Sequence, residues 1–484
     1  MSTTERRSGN VTLALLAVVA VSYVLQQTLV VPALPSLQRD LHTTNTWVTW
    51  VFTGFLLTSA ICTPLLGKLG DMHGKKRMLV VSIAVFGVGT VLCALSGSIA
   101  MLIAARGLQG AGGAIFPLSF GIIRDELPRE RVGVGLGLLS ATFGVGGGAG
   151  LVLSGVILQH LSWPWLFWIG AMPVVVSVVL VARLIPESPV RTPSKLDLPG
   201  AVVLSGALAA LLVALSEGER WGWLSVTTLG VFALAAVLTV VWVLIELRVD
   251  SPMVDIAMMR DRAVLWTNVG AFLTGVAMFG TFLLVPTFVQ MPSGLPPALA
   301  GQVHYGFHAS VIEAGLFLLP SSLVMLVVGP VGGVAERVVG ARVVCAGGLV
   351  LLAVGAALLT FAHDQAWEIT VAMAVVGGGV GLAYAMLAKL IVDAVEPRVT
   401  GVAMGMNTVM RTIGGVVGGQ VGAAILSAMT IGSTSLPAER GFTTSFAGSA
   451  IVALVAALGI AMVPRAPRMR VLPIAEPAVA AAGE

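Results

Sequence analysis

The sequence predicts an all-α integral membrane protein of fourteen transmembrane helices, and composition, span length and the placing of basic residues each point that way. Of 484 residues, 57% are hydrophobic and 10% charged, with a mean hydropathy of +0.98; a soluble domain carries roughly 25% charged residues. A hydrocarbon core about 30 Å thick takes roughly 20 helical residues to cross, and fourteen apolar segments reach that length. An even count puts both termini on one side. With Arg6 and Arg7 placed inside, 21 of the 27 Lys and Arg fall in inner loops or tails, and Arg39, Arg220 and Arg440 fall outside, the bias expected of cytoplasmic loops. Arg106, Lys389 and Arg411 remain within spans.

The first segment, 11–34, follows Arg6 and Arg7; it is too long for a signal-peptide core and no small-residue cleavage site follows, so it is expected to stay. Segments 47–67, 77–96, 99–123, 132–158 and 163–184 complete a first set of six. The stretch "PESPVRTPSKLDLPG" (186–200) closes that set. Segments 198–216 and 226–247 form an inserted pair with almost no internal polar residues, suited to face lipid. Segments 263–289, 311–334, 342–361, 367–392, 400–430 and 442–463 make the second set. The expected division is an N-terminal six-helix bundle over 1–195, inserted pair and linker over 196–250, a C-terminal six-helix bundle over 251–465 and a cytoplasmic tail over 466–484.

Several function classes are set aside on composition. Basic residues are dispersed through short loops and form no patch, so nucleic acid is not an expected partner. Cys62, Cys93 and Cys345 lie singly within spans, which suggests neither a disulfide framework nor a metal cluster. His304 and His308 have helix-face spacing but no acidic or Cys neighbours. The run "GVGGGAG" (144–150) has dinucleotide-like spacing, yet no strand precedes it and it lies in a membrane segment; Gly146, Gly150 and Gly155 read instead as helix-packing positions. No cofactor, catalytic constellation or metal set is expected. Twenty-two Arg against five Lys, with much Ala, Gly and Val, hints at a GC-rich bacterial genome.

An internal repeat follows the second span of each set: "GKLGDMHGKKR" (67–77) and "GGVAERVVGAR" (332–342). Gly67 pairs with Gly332, Asp71 with Glu336, Gly74 with Gly340 one residue out of step, and Arg77 with Arg342. Repeated halves around a central site are how secondary transporters are built. Gly67 permits a close helix approach, and Asp71 can accept hydrogen bonds from a neighbouring helix N-terminus, where an anion is favoured. Lys75, Lys76 and Arg77 can meet carboxylates or lipid phosphates. With Glu336, Arg337 and Arg342 these residues form a candidate gating loop that biases one access state.

The first of these loops resembles the signature of the major facilitator superfamily, Gly-x-Leu-x-Asp-Arg-x-Gly-Arg-Lys, with Met72 at the usual Arg. The stretch "RGLQGAGGA" (106–114) is similar to that superfamily's fourth-span motif, with Arg106, Gln109 and Gly110 in register. The stretches "SWPWLFWIGAMP" (162–173) and "TGVAMGMNTVMRTIGGVVG" (400–418), with the inserted pair, resemble its fourteen-span drug/proton antiporter branch. The resemblance covers essentially the whole chain. It implies two pseudo-symmetric six-helix bundles plus two extra helices, alternating access around a midplane cavity, and proton-driven export of small lipophilic compounds, as in antibiotic resistance. It also implies a monomer in the bacterial inner or plasma membrane, contacting lipid, with both termini cytoplasmic and the proton as coupling ion.

Two departures qualify the branch pattern. The fifth-span motif Gly-Pro-x-x-Gly-Gly appears only as "GLVLSG" (150–155). In the first span "LQQTLVVPALP" (25–35) puts Gln26 where branch members carry an acid. An amide cannot replace a buried carboxylate as proton carrier. Arg106 then lacks that acid, and Gln26 and Gln27 are expected to offer it carbonyl oxygens in a cavity more positive than usual, favouring neutral, zwitterionic or anionic cargo. Other cavity candidates are Gln109, Asn268, Thr274, Tyr384, Asn407 and Arg411, the last placed either in the cavity or at the cytoplasmic gate. Glu313, with His308 five residues before it, is the candidate proton carrier. The alternatives are a transporter of other mechanism or cargo (uniport, uptake, lipid or metabolite export) and a non-transporting membrane sensor.

Overall fold

A computed structural model describes residues 3–188, 190, 197–292, 303–432, 434 and 436–464. The expected tail and the linker residues Arg191 and Lys195 lie outside the described residues.

Among the described residues fourteen helices long and apolar enough to cross a membrane follow one another: α1 (Thr3–Thr28), α2 (Asn45–His73), α3 (Lys75–Ala94), α4 (Ile99–Glu126), α5 (Arg129–His160), α6 (Pro164–Leu184), α7 (Leu198–Trp221), α8 (Val226–Glu246), α9 (Arg262–Gln290), α10 (Val311–Val339), α11 (Ala341–Phe361), α12 (Ala366–Ala394), α13 (Thr400–Ala428) and α14 (Glu439–Ala461). Among the described residues three spans are broken where the sequence weakens the ladder: past Thr28 the first continues as a 3-10 turn over Val31–Ala33, at Pro32, and a short helix over Leu34–Asp40. In α4 the run "GAGGA" tightens to a 3-10 turn over Gly110–Ala114, and α9 re-starts at Leu284, next to Pro286. Starts are capped by side chains that satisfy orphan backbone N–H groups: Ser98 accepts from Met101, Asp197 from Gly200 and Ser225 from Thr228.

The six-and-six arrangement repeats in the packing. In the first bundle α1 lies on α5 and α6, and α3 on α6; in the second α9 lies on α13 and α14, and α11 on α14. The bundles meet through α5 against α10 and α2 against α13, helices that occupy equivalent places in the two sets. The repeated loops also coincide. Gly74 (φ 112°) and Gly340 (φ 89°) each form the single residue between consecutive spans, a backbone region that favours glycine. The one-residue offset in the sequence alignment is one extra residue in the last turn of α10.

The inserted pair is only half lipid-facing. Helix α8 is 17% buried and packs on α7. Helix α7 is 50% buried and contacts both α2 and α13, its Ala201, Leu204, Leu208 and Leu212 joining a core with Ala60 and Met406. The expectation that both face lipid is corrected for α7, whose buried face carries Leu and Ala indistinguishable in polarity from the lipid-facing ones.

Candidate transport pathway and gate

Glycine governs how closely the bundles approach. A Cβ on Gly67 would lie 2.6 Å from the Gly401 carbonyl oxygen, and one on Gly401 2.5 Å from that of Gly67. Across the α5–α10 crossing, a Cβ on Gly137 would lie 2.2 Å from the Gly329 oxygen, and one on Gly333 2.4 Å from the Gly133 oxygen. Small residues permit such backbone contact. The glycine run of α5 divides its faces: Gly146 and Gly150 abut Val24 and Thr28 of α1, while Gly148 and Gly155 abut Ser322 and Ile312 of α10.

At the end of the molecule carrying the basic loops, hydrogen bonds tie the bundles. The Asp71 carboxylate accepts from the backbone N–H of Gly401 and of Val402, each at 3.0 Å, capping the first turn of α13. Arg124 donates to Thr400 Oγ1 at 2.6 Å and to the Val395 carbonyl at 2.7 Å. Arg337 donates to the Glu130 carbonyl. Lys75 is fully buried, 2.7 Å from Asp125 and 3.8 Å from Asp71, so it meets carboxylates and not lipid. Glu187 accepts from the backbone N–H of Lys76 and of Arg77, and the Arg77 side chain is exposed. The second loop is wired differently. Glu336 lies 3.7 Å from Lys389, which also pairs with Asp393, and Arg342 donates to the Val463 carbonyl within its own bundle.

Near the middle of the spans lies a chain of rings with an arginine at each end. The Arg106 guanidinium sits 4.3 Å over the Phe55 ring; Phe55, Phe86 and Phe116 surround Tyr23 at 5.7 to 6.1 Å. Phe116 stacks on Phe143 at 4.0 Å, and Phe143 meets Tyr384 of the other bundle edge-on at 5.6 Å. Arg411 lies 4.5 Å from the Phe143 ring and 4.3 Å from that of Tyr384. Aromatic pairs of this kind contribute about 0.5–1.5 kcal/mol each beyond burial. Arg106, Tyr384 and Arg411 are among the residues expected from the sequence, whereas Tyr23, Phe116 and Phe143 are not; a large ring just before the glycine run is the available signal for Phe143.

Several expected site residues take other places. Gln26 is fully buried; its Nε2 donates to the Leu166 carbonyl of α6 at 3.0 Å, and a Cβ on Gly170 would lie 1.5 Å from that nitrogen. The Gln26 side chain is therefore a helix-packing group. The oxygen it offers Arg106 is its backbone carbonyl, at 3.2 Å, and Gln27 is half-buried. Arg106 also donates to the Val51 carbonyl at 2.9 Å and to Gln109 Oε1 at 2.6 Å, and Gln109 in turn donates to Thr90. Asn407 donates to Asn268 at 2.9 Å, joining α13 to α9, and the Thr274 hydroxyl donates to the Gly270 carbonyl of its own helix.

The expected proton carrier sits in a helix cap. Glu313 is exposed in the first turn of α10, where its carboxylate accepts from the Ser310 N–H at 2.7 Å while Ser310 Oγ accepts from the Glu313 N–H, a capping box. His308 is also exposed, and among the described residues no hydrogen bond joins the two.

Comparison with known proteins agrees with this architecture. The Major Facilitator Superfamily family model matches residues 16–419 and 293–482. Multidrug resistance protein 3 of Bacillus subtilis is 28% identical over 79% of this chain and 73% of its own length. The tetracenomycin C resistance and export protein of Streptomyces glaucescens is 30% identical over 82% of this chain and 72% of its own. The crystal structure of the human organic anion transporter MFSD10 superposes with a TM-score of 0.67 at 16% identity, covering 95% of this chain and 100% of that one, a likeness of fold. The fourteen spans, the repeated bundles and these matches together place the chain in the Major Facilitator Superfamily, as a transporter of the multidrug-efflux type and not an enzyme.

Proposed function

We propose that the protein exports small lipophilic compounds, antibiotics or toxic metabolites, by proton antiport and alternating access. The observation that carries this reading is the latch. Asp71, Arg124 and Arg337 tie the bundles at the end bearing the basic loops, over crossings where glycine backbones touch. By the positive-inside bias that end is cytoplasmic, so the conformation is closed to the cytoplasm. The aromatic chain between Arg106 and Arg411 is the cargo layer: mostly apolar, with a few orienting groups, and spanning both bundles through Phe143 and Tyr384. Relatives named for multidrug resistance and tetracenomycin C export support lipophilic cargo. The protein works as a monomer in a bacterial plasma membrane, with lipid against α8 and both termini inside.

Coupling to protons rests on energy scale. One charge crossing 100 mV yields about 2.3 kcal/mol, roughly a fiftyfold gradient at about 1.4 kcal/mol per decade. With Gln26 unable to titrate and Glu313 engaged as a cap, the core carboxylates with buried side chains among the described residues are Asp71 and Asp125, both at the latch. That favours a second reading, transport driven by the charge of the cargo itself. Export of an aromatic dye from proteoliposomes under an imposed pH gradient, with and without protonophore, separates them: collapse on protonophore addition supports antiport, and an unchanged rate overturns it.

A further inference from the structure

We propose that Arg411, between Phe143 of the first bundle and Tyr384 of the second, anchors an anionic oxygen on planar aromatic cargo, whose ring takes the place of Phe143 on the Phe116 stack. The inference rests on the transport reading above and names the cargo chemistry. Its first support is the state of the guanidinium. Arg411 is 6% exposed and lies over two rings, yet among the described residues neither a hydrogen-bond acceptor nor a carboxylate meets it. An arginine presents five N–H donors in a fixed fork, and a desolvated charge without partner is costly to keep.

The surroundings sharpen the choice of partner. Arg106, at the other end of the ring chain, has backbone and amide acceptors only, and its Nη2 is buried without one among the described residues. The carboxylates with buried side chains among those residues sit at the latch (Asp71, Asp125) or in and beside the inserted pair (Asp197, Glu217, Glu246). The layer is thus a pair of guanidinium charges with no acid between them, and an anionic oxygen supplies what it lacks.

Shape selects the rest of the cargo. Phe116 and Phe143 are stacked nearly parallel, 15° apart at 4.0 Å, so a flat ring system that displaces Phe143 finds the Phe116 face already in stacking geometry, and Phe143 is only half-buried. A planar carboxylate entering there keeps one face on Phe116 and aims its oxygens at Arg411, in the bidentate geometry that guanidinium and carboxylate share. Since Phe116 and Arg411 belong to different bundles, such cargo touches both bundles and binds the two access states unequally, which is the requirement for shifting their populations.

The test uses purified full-length protein in detergent, titrated with anthraquinone-2-carboxylate, its neutral carboxamide and the planar cation ethidium. Wild type is expected to bind the carboxylate at least tenfold more tightly than the carboxamide. Arg411→Gln is expected to lose at least tenfold for the carboxylate and to stay within twofold for the carboxamide. Arg411→Lys, which keeps the charge but not the planar fork, is expected to fall between; should the Gln variant fail to fold, the wild-type ratio and the Lys variant decide. Equal binding of carboxylate and carboxamide, tightest binding of ethidium, or a carboxylate preference that survives in Arg411→Gln overturns the proposal. Transport in proteoliposomes is scored separately. Export of neutral anthraquinones without carboxylate preference leaves the transport reading standing and removes this one; Arg411-dependent binding with no flux of any compound does the reverse.

Discussion

Replacing Asp71 by Asn perturbs the latch with the least change of shape. In the closed form the carboxylate accepts two backbone N–H groups at 3.0 Å each and lies 3.8 Å from Lys75, with the residue 3% exposed. An amide offers one oxygen, so one N–H at the start of α13 faces an NH2 group and is left unsatisfied. Hydrogen bonds to charged groups contribute about 1.5–3 kcal/mol, and a buried unsatisfied donor costs about 1–3 kcal/mol. Lys75 keeps its 2.7 Å contact with Asp125, so that part of the loss is small. When the bundles part, the same groups reach water, so the loss falls on the closed form. A net shift of about 2–3 kcal/mol moves the closed-to-open ratio roughly 30- to 150-fold. Spin labels at the exposed positions His73 and Val338, at the ends of α2 and α10, report it by double electron–electron resonance. Asp71→Asn is expected to move the distribution to longer distances. A distribution unchanged from wild type would refute the latch as a determinant of the closed state.

Three further outcomes follow from the geometry. Gly401→Ala places a methyl 2.5 Å from the Gly67 oxygen and Gly137→Ala one 2.2 Å from that of Gly329, whereas Gly147 has nothing within 4 Å; efflux is expected to fall at least tenfold in the first two and to stay near wild type in Gly147→Ala. Gly170→Ala forces a methyl onto Gln26 and is expected to destabilise by about 1–3 kcal/mol, with Gln26→Ala in the same chain recovering part of it; additive losses in melting temperature would place the Gln26 amide elsewhere. Glu313→Gln weakens only the reciprocal half of a capping box, so proton release on drug addition is expected to match wild type, and its disappearance would support Glu313 as carrier.

The spans were readable because length and hydropathy decide them, and the Gly74 and Gly340 turns because a repeated loop announced them. Side-chain direction was not. A helix apolar all round has no polar stripe to fix its rotation, so nothing along α1 said that Gln26 turns to Leu166 while its backbone oxygen meets Arg106. The same ambiguity hid the ring chain, which draws Tyr23, Phe116, Phe143 and Tyr384 from four helices. Glu313 is different in kind: "SVIE" at 310–313 is a capping-box pattern, a local signal that gives the acid a structural partner. The polarity of α7 likewise gave no hint that it seals against α2 and α13.

The central claim, that export requires the bundles to part at the basic end, is tested most directly by locking that end. In a variant lacking Cys62, Cys93 and Cys345, cysteines at Glu130 and Arg337, neighbours across the bundles, are joined with a short bifunctional thiol reagent cleavable by reductant. Export from proteoliposomes is expected to stop on cross-linking and to return on reduction; export at the full rate while cross-linked would contradict the claim.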